Sequence, residues 1–227
     1  MKSPIISETG LMPFYQKDKE KKQTPKEDKK EKGGIGTSPA APSTPRHLET
    51  PISTSIRWIP LQDGSPAFIR YIRPADSAPL QRMFKRLSKE SIYYRFFGYI
   101  PDASHEFFAR LTFVDQIREI GIVIETRIKG KREIIGMANL VADADGSKAE
   151  YAILIDDNWQ EQGLGSILTD FVCEVSASRG VRKLYANIMA MNRRILGLLK
   201  KKNFSIQRDG YANFFAELEV PPHTIDE

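Results

Sequence analysis

Cysteine and histidine are scarce in this sequence. Cys173 is the single cysteine among 227 residues, so an intramolecular disulfide is excluded. The three histidines, His47, His105 and His223, lie too far apart in sequence to indicate a metal site. Cys173 falls on the apolar stripe of a predicted helix, where a small buried side chain is a better interpretation than a nucleophile. The composition therefore predicts neither a metal centre nor cysteine chemistry.

Long apolar runs are also lacking. No stretch approaches the roughly 18 consecutive apolar residues that span a bilayer. The first 14 residues have no apolar core of the kind found in a secretory signal. These absences predict a soluble, cytoplasmic protein that does not bind a membrane.

Residues 56–227 carry no large excess of positive or negative charge. The net charge is +5, and residues 1–55 carry ten Lys and Arg against seven Asp and Glu, which leaves 24 against 22 for residues 56–227. A nucleic-acid-binding surface needs concentrated positive charge. A local basic patch stays open, but nucleic acid is not expected as the main ligand.

The beginning of the chain offers little that can form a core. Residues 16–32 mix Lys, Glu and Asp, and residues 33–51 are rich in Gly, Ser, Thr and Pro. Such segments cannot bury enough apolar surface to offset the entropy of ordering. We therefore predict a disordered tail over 1–55, a linker over 56–66, one globular domain over 67–220 and a C-terminal tail over 221–227.

Helical and strand periodicities alternate along the rest of the chain. Helices are predicted to begin near Asp76, Ile92 and Ser104, with Asp76 as a cap. The later elements are strands at 120–124, 134–141 and 149–155, a helix at 164–175 ended by Gly180, a strand at 183–188, a helix at 193–202 and a hairpin over 204–218. Because a helix connects the strands at 149–155 and 183–188, these two strands are predicted to be parallel. The expected fold is α/β (α+β), a mixed and mostly antiparallel sheet of about six or seven strands with flanking helices.

Residues 160–165, Gln-Glu-Gln-Gly-Leu-Gly, lie between a predicted strand and a predicted long helix. Glycines at this position let the backbone approach a ligand, and the N–H groups at a helix start favour an anion such as a pyrophosphate. The segment lacks the Gly-Lys-Ser/Thr of a Walker loop and the third glycine of a dinucleotide fingerprint, so neither ATP nor NAD is indicated. A purely structural turn remains the alternative.

The same six residues resemble the Q/R-x-x-G-x-G/A signature of the GNAT acetyltransferase superfamily. Asn192, followed twelve residues later by Phe204, resembles the second CoA-contacting segment of that family. Further segments are similar to the GNAT domain of bacterial Pat-type protein-lysine acetyltransferases; they are 72–74, 87–91, 95–98, 104–106, 111–112 and 149–155. The resemblance covers residues 68–218.

The resemblance implies a strand that splays from its parallel neighbour, with acyl-CoA inserted into the gap. It places the pantetheine on the backbone of Ile153, Leu154 and Ile155, and the pyrophosphate on the amides of the signature. The signature residues are Gln160, Glu161, Gln162, Gly163, Leu164 and Gly165, and Asn192 contributes from the second segment. The implied co-substrate is acetyl-CoA, and the implied acceptor is an amine, with a protein lysine as the first choice.

The resemblance also places a catalytic base at Glu150, which would act on the amine directly or through water. A solvated strand residue at a hairpin is the alternative for this position. Asp115 and Glu119 lie in a segment that borders the acceptor cleft in Pat-type proteins. His105, near a predicted helix start, is interpreted as a cap or surface residue.

Several positions depart from the family pattern. Leu199 stands where many GNAT enzymes have a tyrosine general acid, so water is expected to protonate the leaving thiolate. Asn203 replaces the usual glycine after the last helix, and asparagine also accepts a left-handed conformation. Glu161 adds a negative charge, and Gln162 stands where arginine is common, which predicts weaker CoA binding without loss of the site.

Three other functions stay open. The first is acetylation of a small amine, because residues 1–55 are too short for the cyclic-nucleotide-binding or acyl-CoA-synthetase-like module of the best-known Pat-type proteins. The second is a non-catalytic acyl-CoA sensor, suggested by Leu199 and the altered signature. Nucleic-acid binding through the tail ranks last.

Overall fold

The computed structural model describes residues 56–100 and 103–222, and its frame is a sheet of eight strands in the order β1-β2-β3-β4-β5-β6-β8-β7. The strands are β1 (Arg57–Pro60), β2 (Pro66–Tyr71), β3 (Glu119–Ile128), β4 (Lys131–Ala142), β5 (Lys148–Ile155), β6 (Lys183–Met189), β7 (Ser205–Asp209) and β8 (Asn213–Glu219). Within this sheet β5 and β6 are parallel, and all other neighbours are antiparallel. The predicted mixed sheet and its parallel pair are confirmed.

Helices cover both faces of the sheet. They are α1 (Ser77–Arg86), α2 (Lys89–Phe96), α3 (His105–Thr112), α4 (Leu164–Ser178) and α5 (Arg193–Lys201). Alternate residues of β3 point to opposite faces of the sheet. Val123 packs in the core with α1 and α3, whereas Ile122 and Ile124 pack in the larger core with α4 and α5. Among the described residues, no helix has the length and apolar character needed to cross a bilayer.

Polar side chains begin the helices where the sequence allows it. Ser104 Oγ accepts the N–H of Phe107 at 3.2 Å and begins α3, and Ser88 Oγ does the same for α2 with the N–H of Ser91 at 3.1 Å. Asn203 follows α5 at φ 61°, so the predicted left-handed asparagine is confirmed.

The cap predicted at Asp76 is wrong. Asp76 precedes α1, but its side chain makes no capping hydrogen bond to that helix. Its fully buried carboxylate instead accepts from Arg70 Nη1 at 2.7 Å and from the N–H of Arg73 at 2.8 Å. A buried guanidinium is a stronger partner than an exposed helix amide, which explains the difference.

The linker predicted over residues 56–66 contains strand β1. Ile59 and Leu61 are each 5% exposed and belong to the main core, and Trp58 pairs with Phe68 of β2. The polar run after Leu61 is therefore the turn of a hairpin, and the sheet has eight strands where six or seven were expected. The predicted tail over 1–55 and residues 223–227 of the C-terminal tail lie outside the described residues.

Candidate functional site

The site lies where β5 and β6 separate. Three residue pairs join these strands, and the last of them is Glu150 with Tyr185. Beyond it β5 stays paired with β4 as far as Ile155, and β6 stays paired with β8 as far as Met189. The result is a V-shaped gap between two intact antiparallel halves of the sheet.

A cavity of about 890 Å³ occupies the gap, within the usual size of a small-molecule site. Its walls come from α2, β5, the signature segment, β6 and α5. Ile153 and Leu199 border it and belong to the main-core side of the sheet, whereas Glu150 and Asn187 border it from the opposite strand face. The cavity thus connects the two faces of the sheet.

The signature segment forms the turn that starts α4. Gly163 is the N-cap of α4 at φ 82°, and its carbonyl accepts the N–H groups of Ser166 at 3.0 Å and Ile167 at 3.1 Å. The preceding amides of Leu164 and Gly165 belong to the first turn, where a helix supplies no internal acceptor. Such a turn is suited to hold an anion.

Two glycines of this segment are required for different reasons. A Cβ on Gly163 would meet nothing within 4 Å, so its need for glycine comes from the left-handed backbone. A Cβ on Gly165 would lie 3.3 Å from Leu198 Cδ2 and 4.0 Å from Ile153 Cδ1. Gly165 therefore lets the start of α4 approach α5 and β5 closely.

Gln160 uses its side chain to join the walls of the cavity. Its Nε2 donates to the carbonyl of Ile155 at 3.1 Å, to Asp157 Oδ1 at 2.8 Å and to Ser91 Oγ at 3.4 Å. Its Oε1 accepts from Arg194 of α5. The first residue of the signature thus links β5, α2 and α5, which sequence reasoning did not foresee.

The turn before the signature has a buried anchor. Asp156 is fully buried, and its Oδ2 accepts from Arg86 Nε at 2.6 Å while its Oδ1 accepts the N–H of Asn158 at 3.1 Å. Arg86 is also held by Glu133 at 2.9 Å. This ion-pair network attaches the signature to α1 and β4.

The negative charge of Glu161 is paired. Arg194 Nε lies 3.3 Å from Glu161 Oε1, and both side chains are mostly exposed. An exposed pair contributes about 0 to 1 kcal/mol, so the pairing reduces the local negative charge without fixing the loop. Gln162 is half-buried and donates its side-chain N–H to the carbonyl of Asn158 at 3.1 Å.

Glu150 is buried at the vertex of the V. It is 5% exposed, and Asn187 Nδ2 of β6 donates to its Oε1 at 3.4 Å. The alternative of a solvated strand residue is wrong, because the neighbouring strands and α2 cover the side chain. A carboxylate so placed faces the cavity that a reacting amine would have to enter.

Arg95 is a residue of this wall that sequence reasoning did not single out. It is 8% exposed, and its Nη2 donates to Asn139 Oδ1 at 2.8 Å. Burial lowers the pKa of Arg95 to about 10, while the negative charge of Glu150 acts in the opposite direction. The sequence signals for Arg95 were its place in the segment 95–98 and its apolar and aromatic neighbours at 92–97.

The remaining candidates make local contacts that the structure describes. Asp115 Oδ1 accepts the N–H groups of Ile117 at 2.7 Å and Arg118 at 2.9 Å, and neither Asp115 nor Glu119 lines the cavity. Asn192 lines the cavity and caps α5 by accepting the N–H of Ile195 at 3.3 Å. Leu199 is fully buried in the cavity wall and offers no proton.

Comparisons with known proteins match the part of the chain that forms the cavity. The model of the acetyltransferase (GNAT) family matches residues 85–204. Acetyltransferase PA5475 of Pseudomonas aeruginosa strain PAO1 is 28% identical over 153 residues, which are 67% of this chain and 82% of the relative.

Two solved structures illustrate the similarity of fold. The GNAT domain of S. lividans PAT has a TM-score of 0.65 at 25% identity, over 78% of this chain and 100% of that domain. The spermidine N-acetyltransferase of Vibrio cholerae, solved with CoA and spermine, has a TM-score of 0.56 at 16% identity, over 68% of this chain and 95% of the enzyme. The second comparison shows a shared fold alone.

Proposed function

Because the chain belongs to the acetyltransferase (GNAT) family, we propose that it transfers the acetyl group of acetyl-CoA to an amine, preferably a protein lysine, inside the gap between β5 and β6. The observation that carries the proposal is the buried carboxylate of Glu150 at the vertex of a cavity that connects both faces of the sheet. One face admits the thioester and the other admits the amine.

Acetyl-CoA binding is assigned to the open edge of β5 and to the start of α4. Beyond Glu150, no strand of the described residues pairs with β5 on its β6 side. The backbone of Ile153, Leu154 and Ile155 therefore offers donors and acceptors to the amide-bearing pantetheine, much as an edge strand accepts a peptide. The amides of the first turn of α4 then take the pyrophosphate.

The chemistry requires two protons to leave the protonated amine, one before the nitrogen attacks and one after it. A lysine amine has a pKa near 10.4 and is almost fully protonated at neutral pH. Glu150 accepts the first proton, directly or through water, and the nitrogen lone pair then forms a bond to the thioester carbon. The tetrahedral intermediate breaks its C–S bond, its nitrogen releases the second proton, and water carries a proton to the leaving thiolate because Leu199 cannot supply one.

A protein lysine is preferred for two reasons. The S. lividans PAT domain is matched over 100% of its own length, and at 25% identity it is the more similar in sequence of the two solved structures. The cavity also reaches the α1–α3 face of the sheet, where a side chain can enter while its own backbone stays outside. A small amine such as spermidine remains the second candidate, and CoA release with each acceptor separates them.

The test of the mechanism is Glu150→Gln, which keeps the shape and removes the base. General-base catalysis contributes about 10² to 10⁴ in rate, so turnover should fall on that scale while the Kd for acetyl-CoA stays nearly unchanged. The residual rate should rise with pH as unprotonated amine becomes available. Turnover is measured as CoA released from acetyl-CoA in the presence of lysine-bearing proteins or spermidine.

A matched control is Glu174→Gln, an exposed carboxylate on α4 that pairs with Arg57. It should leave turnover unchanged. If Glu150→Gln turns over like the control, Glu150 is not the base. If no acceptor releases CoA from the wild-type protein although acetyl-CoA binds, the protein is an acyl-CoA sensor.

A further inference from the structure

The single buried residue of α2 is an arginine. Helix α2 has mostly half-buried residues, and Arg95 alone enters the interior. Its Nη2 is held by Asn139 of β4, and its guanidinium carbon lies 4.8 Å from the centre of the Phe96 ring. Its buried Nε has no hydrogen-bond partner within the part of the chain that the structure describes.

Packing alone does not explain this arrangement. Removing a charged group from water costs several kcal/mol unless it is fully paired, and an apolar residue of similar volume would be neutral or stabilising at such a position. A buried, incompletely bonded guanidinium therefore indicates a role in the site that it borders. Arg95 borders the cavity together with Glu150.

Arg95 is the buried cation in the cavity wall that Glu150 borders. Two lysines lie on the same strand face as Glu150, but Lys148 is exposed and Lys183 pairs with Glu217 and Glu219. On β4 the neighbours Val141 and Asn139 are uncharged. On β6 Asn187 is uncharged, and Tyr185 donates its hydroxyl to Asp143 at 3.0 Å. The other basic residues that line the cavity, Arg193, Arg194 and Lys201, come from α5.

We propose that Arg95 is a positioning residue whose charge keeps Glu150 ionised until the amine has bound, with Asn139 holding the guanidinium in place. The inference rests on the proposed role of Glu150 as the base. A buried carboxylate without a cation favours its protonated form, which cannot accept a proton from the amine. A fixed positive charge in the same wall restores the ionised form.

The direct test is a titration of the Glu150 carboxyl by carbon-13 NMR in the full chain labelled at glutamate Cδ, with Glu150→Gln to assign the signal. Arg95→Met removes the charge and roughly keeps the volume, Arg95→Gln also keeps a donor for Asn139, and Arg95→Lys keeps the charge. An opposite charge lowers a carboxyl pKa, by about 1 to 3 when the two groups lie within about 4–6 Å and by less when they lie farther apart. The midpoint should therefore rise in the first two variants and stay near wild type in Arg95→Lys.

Arg127→Met is the matched control, because Arg127 is exposed and donates to the carbonyl of Gly130 far from the cavity. It should leave the midpoint unchanged. The melting temperature of Arg95→Met should equal or exceed that of wild type, since a buried charge is replaced by an apolar group. If Arg95→Met does not fold, the titration midpoint of Glu150 in Arg95→Gln tests the proposal instead.

Two results overturn the inference. One is a midpoint in the neutral variants that coincides with wild type; if their melting temperature also falls, Arg95 only supports the fold. The other is a midpoint that rises as much in Arg95→Lys as in Arg95→Met, which assigns the effect to packing. Because the titration needs no turnover, failure of Glu150 as the base would appear separately, as normal turnover in Glu150→Gln.

Discussion

Single residues in this protein behave according to what surrounds them more than according to their type. Cys173 of α4 is half-buried against the main core, and burial raises the pKa of its thiol to about 11. The attacking species in cysteine chemistry is the thiolate. A small apolar role, as the sequence predicts, therefore agrees with the electrostatics of the site.

Cys173 should react slowly with iodoacetamide. A thiol with a pKa of 9.0 is about one-tenth ionised at pH 8, whereas a pKa of about 11 leaves about one part in a thousand. Alkylation at pH 8 should thus be about a hundredfold slower in the folded protein than in urea, as followed by mass spectrometry. The folded-state pKa is raised, so the rate in the folded protein should keep climbing between pH 9 and 11. Equal rates in buffer and in urea would contradict the assignment.

The sequence predicts less about the surroundings of Glu150 and Arg95 than about their chemistry. Glu150 was placed in the site by resemblance to a family, but its burial depends on β6 and α2, and no local pattern reports these contacts. Arg95 and its partner Asn139 are 44 residues apart in sequence, so a single sequence contains no sign that they meet. The chemistry of a residue type was predictable, whereas its partner was not.

At the scale of helices and strands, local signals were reliable where a cap or a glycine decides the outcome. Ser104, Gly180 and Asn203 begin or end elements as their types predict. Helix α1 begins directly after Asp76 as predicted, but the cap itself failed, because a buried guanidinium binds the carboxylate that would have capped the helix. Strand β1 was missed because four residues flanked by a polar turn carry too little periodicity to detect.

The start of α4 provides a test of the signature as an element. Gly163→Ala places a Cβ at φ 82° with no clash, so it should destabilise the fold by about 1 to 2 kcal/mol through backbone strain. It should also weaken acetyl-CoA binding, because relief of that strain moves the amides of the turn. Chemical denaturation and calorimetric titration measure the two effects.

Gly210→Ala is the comparison variant. Gly210 lies between β7 and β8 at φ 68°, and a Cβ there would also meet nothing within 4 Å. It should cost a similar amount of stability and leave acetyl-CoA affinity unchanged. If Gly163→Ala and Gly210→Ala bind acetyl-CoA with equal affinity, the signature turn is not part of the binding site.

At the scale of the whole molecule, the extent of the folded unit follows from the sheet. The order of the strands makes β1 one edge of the sheet, where it places Ile59 and Leu61 in the main core and Arg57 over the Phe171 ring. The folded unit therefore begins before residue 67, where sequence reasoning placed its start.

Two shortened chains test this boundary. A chain that begins at Ser55 should unfold cooperatively with the melting temperature and acetyl-CoA affinity of the full chain. A chain that begins at Ala67 loses two buried side chains worth about 1.5–3 kcal/mol each, and should be destabilised by roughly 3–6 kcal/mol. Loss of cooperative unfolding in the longer of the two would show that residues 1–54 contribute to the fold.

Acetyl-CoA should raise the melting temperature of the full chain. A ligand that binds only the folded state stabilises it by about 2.7 kcal/mol at a hundredfold excess over its Kd. Differential scanning fluorimetry measures the shift. A parallel measurement with desulfo-CoA, which has no acetyl group, shows how much of the shift comes from the acetyl thioester end of the ligand. An unchanged melting temperature at millimolar acetyl-CoA would contradict the proposed function.

The separation of β5 from β6 gives this sheet four edges where an unbroken sheet has two. The outer edges are β1 and β7, and the inner edges are the parts of β5 and β6 beyond Glu150 and Tyr185. Exposed edges invite pairing with other chains, but these inner edges face each other across the cavity inside one sheet. Their backbone N–H groups should exchange with solvent deuterium quickly in the unliganded protein, and acetyl-CoA should slow this exchange on β5 at 153–155 without altering β1 or β7.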